Sequence, residues 1–273
     1  MNFSTAVLLG IVQGLTELFP VSSSGHMVIL RSFFPSFQQP GVAFDVVVHV
    51  GTLVAIVVYF RTEIWNITKS LLPQNIKDSH SENNFSTSRK LLLLIIIGTI
   101  PAAFFGLLFQ EKLHVIFNFA RAAAFFLIIT GFLLFISDKV KNTPRQEADM
   151  NFFDAILIGL AQSFALLPGI SRSGATITMG IFRGINRTAA ARFSFLLSLP
   201  AICGSVILEL PYLKQVPSGE ILAYFAGFLC AALAGLASLN FFFLIIRQAR
   251  LKYFSYYCWT FALFTLLVKS SFF

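Results

Sequence analysis

Two polar, glycine-bearing breaks interrupt an otherwise apolar chain, and they constrain its fold more than any other feature. The first reads PVSSSGH from Pro20 to His26, and the second reads PGISRSGAT from Pro168 to Thr176. When the chain is shifted by 149 residues the two regions align, and eight of the twenty positions from 6 to 25 are identical, with Gly, Gln and Ser among them. Apolar bias alone does not produce identity at polar positions, so the pattern indicates two related halves.

Composition places the chain in a membrane. The sequence is 56% hydrophobic and 12% charged, whereas a soluble globular domain carries about 25% charged residues. Its 33 Phe residues suit helix surfaces that face lipid. The net charge of +8 could suggest a nucleic-acid partner, but the basic residues lie in short loops without interleaved aromatics, so none is expected. The three Cys are far apart in apolar stretches, which predicts neither a disulfide framework nor a zinc site.

The apolar stretches predict an all-α polytopic membrane protein with six transmembrane helices. A span needs about 20 residues, and the stretches 42–60, 91–109, 119–137, 193–210 and 221–246 are that long or nearly so, with a shorter sixth at 253–268. Two further apolar pairs, 6–19 with 27–34 and 152–167 with 175–182, are too short and are each divided by a polar break. We predict that each pair is a re-entrant helix–loop–helix, because irregular backbone at membrane depth must be surrounded by protein or water.

Counts of spans and charges orient the two halves. Of the 20 Lys and Arg, 14 fall on one side of the membrane, five fall on the other, and Arg172 lies within the second break. Because positively charged loops stay in the cytoplasm, both termini are predicted on the outer face. Three spans separate the breaks, so the second half is an inverted-topology repeat of the first, and the break tips can meet near the midplane.

The whole chain, 1–273, is predicted to be one integral membrane domain. Repeat one covers about 1–137, repeat two covers about 150–273, and a cytoplasmic loop at 138–149 links them. The stretch 66–90, rich in Ser, Asn and Lys, is predicted as a long and mobile cytoplasmic loop. No cleavable signal peptide is predicted, because the N-terminus lacks a basic region.

The residue types in the breaks are those that bind phosphate. A broken helix offers free backbone N–H groups and a positive dipole end, which favour an anion. Arg172 adds a cationic fork suited to bidentate phosphate contact, and a charge at membrane depth is costly enough to indicate function. We therefore predict a phosphate or diphosphate ligand held by both halves. The predicted substrate-binding residues are Gln13, Ser22, Ser24, Gly25, Gly169, Ser171, Ser173, Gly174 and Thr176.

Residues of the first half could carry out chemistry on that phosphate. Glu17, one helical turn after Gln13, is a candidate proton acceptor or ligand for a divalent cation, and a structural ion pair with Arg172 is the alternative. His26, three residues after Ser23, is a candidate general base, general acid or phosphoryl acceptor, and a helix cap is the alternative. His49 could line the same cavity.

At these residues the chain resembles the undecaprenyl-pyrophosphate phosphatase family, also called the bacitracin-resistance protein family. The resemblance covers nearly the whole chain and rests on QGLTE from position 13 together with the two breaks. It implies hydrolysis of the terminal phosphate of undecaprenyl or another long polyprenyl diphosphate in the bacterial inner membrane. That reaction recycles the carrier lipid for cell-wall synthesis and confers bacitracin resistance. By position, the family's catalytic residues match Glu17, Ser23, His26 and Arg172.

The resemblance also implies a divalent cation, magnesium or calcium, for which Glu17 is the candidate ligand. The family has an acidic residue or Gln at position 13, and Gln13 cannot supply negative charge to a metal site. The expected partners are the polyprenyl diphosphate and membrane lipids, with a homodimer left open. Ser23 and His26 both remain candidates for the nucleophile.

Other functions share parts of this pattern. A polyprenyl-phosphate flippase or an anion-coupled secondary transporter would use the same inverted repeats with broken helices. Phosphate release in detergent micelles, where no gradient exists, distinguishes the enzyme from both. The type-2 phosphatidic acid phosphatases also carry Ser-Gly-His, but they need a later histidine, and the four His of this chain all precede residue 115. A purely structural membrane protein would not explain Glu17 and Arg172 converging from two halves.

Overall fold

The computed structural model describes residues 1–34, 41–72, 79–109, 111, 116–117, 119–141, 143–248 and 250–270, with the backbone alone at 41, 79–85, 215 and 270. In that part of the chain the regular structure is helical, apart from one isolated bridge between Arg145 and Ile185. The α-helices, numbered in chain order, are α1 (Phe3–Leu18), α2 (Ser23–Phe33), α3 (Gly41–Tyr59), α4 (Arg61–Ser70), α5 (Ser79–Leu108), α6 (Ala120–Lys139), α7 (Phe152–Phe164), α8 (Arg172–Phe182), α9 (Arg187–Glu209), α10 (Ile221–Arg247) and α11 (Lys252–Ser270).

Five helical segments of the described chain are long and apolar enough to cross a membrane. They cover 42–59, 86–108, 120–139, 187–214 and 218–247. Large apolar side chains such as Phe104, Phe125 and Phe225 are more than half exposed on their surfaces, as expected of helices in lipid. The chain is therefore a polytopic α-helical membrane protein. The predicted sixth span coincides with α11, which has 19 residues but is less apolar, so that its crossing stays a prediction.

The stretch 66–90, predicted as a mobile loop, is largely helical where the structure describes it. α4 continues to Ser70, α5 begins at Ser79, and 73–78 lie outside the described residues. Arg89 Nε donates to the Ser70 carbonyl at 2.6 Å and ties the two helices together. The loop prediction was wrong because it rested on polar composition, and Ser or Asn costs a helix only about 0.5 kcal/mol per residue.

Both polar breaks are shorter than predicted, because their hydroxyl-rich residues form the first turn of a helix. α2 begins at Ser23 rather than near 27, and α8 begins at Arg172 rather than near 175. In each case the preceding serine caps the helix. Its Oγ accepts a hydrogen bond from the backbone N–H of Gly25 at 3.3 Å or of Gly174 at 3.0 Å. Such a cap stabilises a helix by about 1 kcal/mol.

Two glycines, at corresponding positions of the two halves, allow close crossings between helices. A Cβ built on Gly10 of α1 would lie 2.3 Å from the carbonyl oxygen of Gly227 on α10, and one built on Gly159 of α7 would lie 2.3 Å from that of Gly98 on α5. Gly159 is the residue 149 positions after Gly10. Gly10 and Gly159 therefore each make a close crossing with a helix from the other half of the chain, which small residues permit between membrane helices.

Candidate active site

Glu17, on the last turn of α1, lies at the centre of a polar cluster drawn from both halves. Its side chain is 8% exposed. Oε1 accepts a hydrogen bond from the guanidinium of Arg172. Oε2 accepts one from the Ser23 hydroxyl and another from Gln13 Nε2 at 3.1 Å. The folded chain thus brings together four of the residues predicted for this site.

The N-terminal ends of two helices converge on this carboxylate. Ser23 is the first residue of α2, Arg172 is the first residue of α8, and both contact Glu17. The N-terminus of an α-helix carries about half a positive charge. Two such ends together with Arg172 exceed the single negative charge of Glu17, so the cluster is suited to an anion.

The tips of the two breaks contact each other directly. Ser22 has a φ of 67° and Gly169 a φ of 104°, values that glycine adopts freely but that are costly for serine. The Ser22 Oγ accepts a hydrogen bond from the backbone N–H of Gly169 at 3.1 Å. A Cβ on Gly25 would lie 2.8 Å from the Gly169 Cα. The strained residue before Ser23 is therefore held by the other half of the chain.

Thr130 on α6 supports the second break and was not among the predicted residues. Its Oγ1 donates to the Gly169 carbonyl at 2.8 Å and accepts from the backbone N–H of Ser171 at 3.0 Å. A lone threonine in an apolar helix was the available signal, because such hydroxyls often bond across membrane helices.

The other hydroxyls predicted to bind substrate lie along the first turns of α2 and α8. Ser24 and Ser173, at equivalent positions of the two halves, each lie 3.3 Å, Oγ to Oγ, from the serine that caps their own helix. Thr176 Oγ1 lies 2.5 Å from Ser194 Oγ. These hydroxyls are engaged within the protein, and their contact with substrate stays a prediction.

His26 lies in the first turn of α2, but its ring nitrogens contact groups other than Ser23. Nδ1 lies 2.8 Å from the Ser22 carbonyl oxygen, and Nε2 lies 2.8 Å from the Tyr257 hydroxyl. The ring is buried and stacks on Phe261, with 4.5 Å between centroids. In this arrangement Glu17, rather than His26, accepts the hydrogen bond of Ser23. A catalytic role for His26 stays a prediction.

Two further side chains complete the surroundings of the cluster. His49 Nε2 lies 3.8 Å from Glu17 Oε2, and its Nδ1 lies 2.7 Å from the Asp45 carbonyl oxygen, which places His49 near the site as expected. Tyr257 was not identified from the sequence. A tyrosine in an aromatic-rich apolar helix carries no distinguishing signal, and only the packing of α11 brings it to His26.

The donor set does not fit a resident divalent cation. The described residues contain no group of three or more His, Cys, Asp or Glu placed to hold a metal ion. Both oxygens of Glu17 are engaged, one of them by a guanidinium, and Gln13 directs its amide N–H at the same carboxylate. A magnesium ion commonly combines one or two carboxylates with the phosphates of a ligand, so a cation at Glu17 would need ligands from outside the protein.

A second ionic cluster joins the linker between the halves to the start of α7. Asp154 accepts hydrogen bonds from Arg145 Nη2 at 2.5 Å and Arg183 Nε at 2.8 Å. Burial alone raises the pKa of the Asp154 carboxyl, but hydrogen bonds from Arg145, the Asn151 backbone and Arg183 outweigh burial and hold the pKa below its usual range. This cluster fastens the linker to the second half and contributes no group to the cluster at Glu17.

Fold and site together define a class: a polytopic α-helical membrane protein in which two serine-capped helix ends, one from each half, meet at a buried carboxylate–arginine pair. The family model described as Bacitracin resistance protein BacA matches residues 6–264 of the chain. The chain belongs to the BacA family.

Curated relatives agree with this assignment. An undecaprenyl-diphosphatase of Syntrophotalea carbinolica is 41% identical over 259 residues, covering 95% of this chain and 96% of the relative. An undecaprenyl-diphosphatase of Korarchaeum cryptofilum is 42% identical over 261 residues, with 94% and 96% covered. One from Carboxydothermus hydrogenoformans is 38% identical over 275 residues, with 99% of each chain covered.

Proposed function

We propose that this protein hydrolyses undecaprenyl diphosphate, or another long polyprenyl diphosphate, to the monophosphate and inorganic phosphate. The observation that carries the proposal is the contact of Glu17 with both Ser23 and Arg172, which unites a nucleophile, a proton acceptor and a phosphate-binding cation. Relatives that align over nearly the whole chain are named undecaprenyl-diphosphatase. The product is the lipid that carries cell-wall precursors, and removal of the diphosphate confers bacitracin resistance, in keeping with the family's description.

Ser23 is the nucleophile in this proposal, and Glu17 is its proton acceptor. The Ser23 hydroxyl donates to the Glu17 carboxylate, which is the contact that a general base makes before it takes the proton. Ser23 Oγ bonds to the terminal phosphorus as the bond from that phosphorus to the bridging oxygen breaks, and the polyprenyl monophosphate leaves. Water then attacks the phosphoserine, inorganic phosphate is released, and Ser23 regains a proton. His26 is the alternative nucleophile, but the contact of its Nε2 with Tyr257 favours Ser23.

Arg172 exchanges partners when the diphosphate binds. In the structure it pairs with Glu17, whereas a diphosphate offers more charge and a bidentate contact. The positive ends of α2 and α8 add to the attraction and offset charge that develops in the transition state. Once Arg172 leaves, Glu17 loses a neighbouring cation and accepts the Ser23 proton more readily. Substrate binding thereby activates the base.

A divalent cation, magnesium or calcium, enters this proposal only as a companion of the diphosphate. Glu17 is the carboxylate that could share it with the phosphate oxygens, because the described part of the protein alone supplies too few ligands. The steps assigned to Ser23, Glu17 and Arg172 do not depend on it.

The finer topology is also part of the proposal. Six spans and two re-entrant pairs, α1 with α2 and α7 with α8, form an inverted repeat in a bacterial inner membrane, with both termini outside. The matching crossings of α1 on α10 and of α7 on α5 support two related halves, about 1–137 and 150–273. A homodimer stays a prediction.

The test is phosphate release from undecaprenyl diphosphate by the purified protein in detergent micelles, with and without magnesium or calcium. Arg172→Ala and Ser23→Ala should abolish release and stay folded. Ser205→Ala, which removes a hydroxyl bonded to a carbonyl of its own helix, should behave as wild type. A trapped phosphoenzyme that is stable to acid but labile to base assigns Ser23, and the reverse stability assigns His26. A purified protein that releases no phosphate would overturn the proposal.

A flippase or anion-coupled transporter is the second candidate, favoured by the repeated crossing of the two halves. Phosphate release in micelles distinguishes the enzyme from a transporter, because micelles offer no second compartment into which a substrate could be moved. Movement of polyprenyl phosphate across vesicles by a Ser23→Ala variant that releases no phosphate would support the transporter.

A further inference from the structure

We propose that Tyr257 is a positioning residue that acts through His26 to hold Ser22 and Ser23 in place, an inference that rests on the function proposed for Ser23. Tyr257 belongs to α11, the last helix of the second half, whereas its partner lies in the first break. The two residues are 231 positions apart. The contact therefore joins the two halves through groups other than Glu17 and Arg172.

The hydrogen bonds determine which tautomer His26 adopts. The Ser22 carbonyl oxygen only accepts, so Nδ1, 2.8 Å away, carries a proton and donates it. In the neutral ring Nε2 is then bare, and it accepts the hydroxyl proton of Tyr257 at 2.8 Å. Removal of that hydroxyl would leave Nε2 without its donor and weaken the hold on the ring, although the Ser22 carbonyl would still require the Nδ1–H tautomer.

Aromatic packing keeps the imidazole in this orientation. The rings of Tyr257 and Phe261, one helical turn apart on α11, lie parallel to His26 within 2° and 5°, with centroids 5.5 and 4.5 Å from it. His26 is 3% exposed, whereas Tyr257 is 44% exposed. In this series of contacts, Tyr257 is the exposed member and His26 is the buried member.

The last residue in this series of contacts is Ser22, the strained residue of the first break. Ser22 has a φ of 67°, a conformation that persists in a non-glycine residue only where its surroundings enforce it. Its carbonyl is held by His26 and its Oγ by the Gly169 N–H. Ser23 follows immediately and begins α2. A change in the angle of the Ser22 carbonyl therefore moves the Ser23 hydroxyl relative to Glu17.

The test compares Tyr257→Phe with Tyr256→Phe. Tyr256 is the matched control, because it is a neighbouring and similarly exposed tyrosine on α11 that packs against Phe135 and Trp259. Loss of one hydrogen bond that positions a nucleophile should lower kcat about tenfold. KM should stay unchanged, because Tyr257 does not touch the diphosphate in this proposal. Tyr256→Phe should leave both constants at their wild-type values.

Nitrogen-15 NMR of protein labelled in its four histidines provides a readout that is independent of activity. The His26 signal is assigned by its absence from His26→Gln. All three proteins, wild type, Tyr256→Phe and Tyr257→Phe, should show the Nδ1–H tautomer, because each keeps the Ser22 carbonyl. Only Tyr257→Phe should shift the Nε2 resonance, because only that variant loses the hydroxyl at Nε2. An unshifted Nε2 resonance in Tyr257→Phe, or an Nε2–H tautomer in wild type, would overturn the inference whatever the enzyme does. A shifted resonance with wild-type kcat would remove the link to Ser23. Ser23→Ala should release no phosphate but keep the wild-type His26 resonances. Failure of the proposed function and failure of this inference would therefore appear in different measurements.

Discussion

The exchange of Arg172 between Glu17 and the diphosphate makes an unusual prediction for Glu17→Gln. The substitution keeps the size of the side chain and its hydrogen bond to Arg172 but removes the negative charge. Hydrogen bonds that involve a charged group contribute about 1.5–3 kcal/mol. The ion pair with Glu17 belongs at the upper end of this range, and the bond from Arg172 to an uncharged amide belongs at the lower end. Arg172 should therefore leave the amide of this variant for the phosphate at a cost lower by about 1–2 kcal/mol, which corresponds to about tenfold tighter binding.

Turnover should change in the opposite direction, because Glu17 is also the base that takes the Ser23 proton. Loss of a general base lowers the rate about 10²- to 10⁴-fold. Binding is measured with a non-hydrolysable methylene analogue of the polyprenyl diphosphate, and kcat by phosphate release, both in the same micelles. Asp45→Asn is the matched control. It neutralises a carboxylate that also pairs with an arginine, but with Arg31 rather than Arg172, and it should alter neither quantity by more than about twofold.

Each of the two measurements can refute part of this reasoning. Unchanged or weaker analogue binding by Glu17→Gln would show that the carboxylate does not compete with phosphate for Arg172. A kcat near that of wild type would show that Glu17 is not the base, even if binding becomes tighter.

Three other changes test the site and its scaffold. Ser23→Ala should bind the methylene analogue within about twofold of wild type but form no phosphoenzyme, because it loses only the nucleophile. Gly159→Ala should lower the melting temperature by about 4–8 °C, since its Cβ would lie 2.3 Å from a backbone oxygen and overpacking costs about 2 kcal/mol. Gly204→Ala, which meets nothing within 4 Å, should raise it slightly, and equal melting of the two variants would contradict the close crossing. Asp154→Asn should destabilise the protein by about 3 kcal/mol at pH 7. Because the folded pKa of Asp154 is depressed, this stabilisation is present above its unfolded pKa of about 3.9 and is lost as the pH falls through the lower folded value. Melting curves of variant and wild type should converge in acid. Asp149→Asn, which changes an exposed carboxylate that accepts the Gln146 N–H, should stay within about 0.5 kcal/mol of wild type at each pH.

Much of the fold followed from local pattern. The spans at 42–60 and 119–137 were predicted within a few residues, because a bilayer demands long apolar helices and little else in a sequence resembles them. The prediction of a loop at 66–90 was wrong because this polar stretch carries no strong local signal for any structure. Its residues neither demand nor forbid a helix, and the extension of α5 back to Ser79 is visible only in three dimensions.

The site was predicted in part. Gly, Ser and Arg at the breaks indicated a phosphate site because each residue type has a defined chemistry with anions. The partners of these residues did not follow from type. Spacing along the chain suggested His26 as the base for Ser23, whereas the folded chain directs Ser23 to Glu17 and His26 to Tyr257.

The sequence by itself determined that this is a helical membrane protein, and it predicted two related halves and a phosphate-binding pair of breaks. Apolar length, repeated identities and side-chain chemistry can be read along one dimension. Only the tertiary structure decided that Glu17 meets Arg172 across 155 residues, that Thr130 supports Gly169, and that Tyr257 reaches His26. Those contacts depend on how closely helices approach and rotate against one another. That geometry arises from the joint packing of small residues on many helices, which no single stretch of sequence specifies.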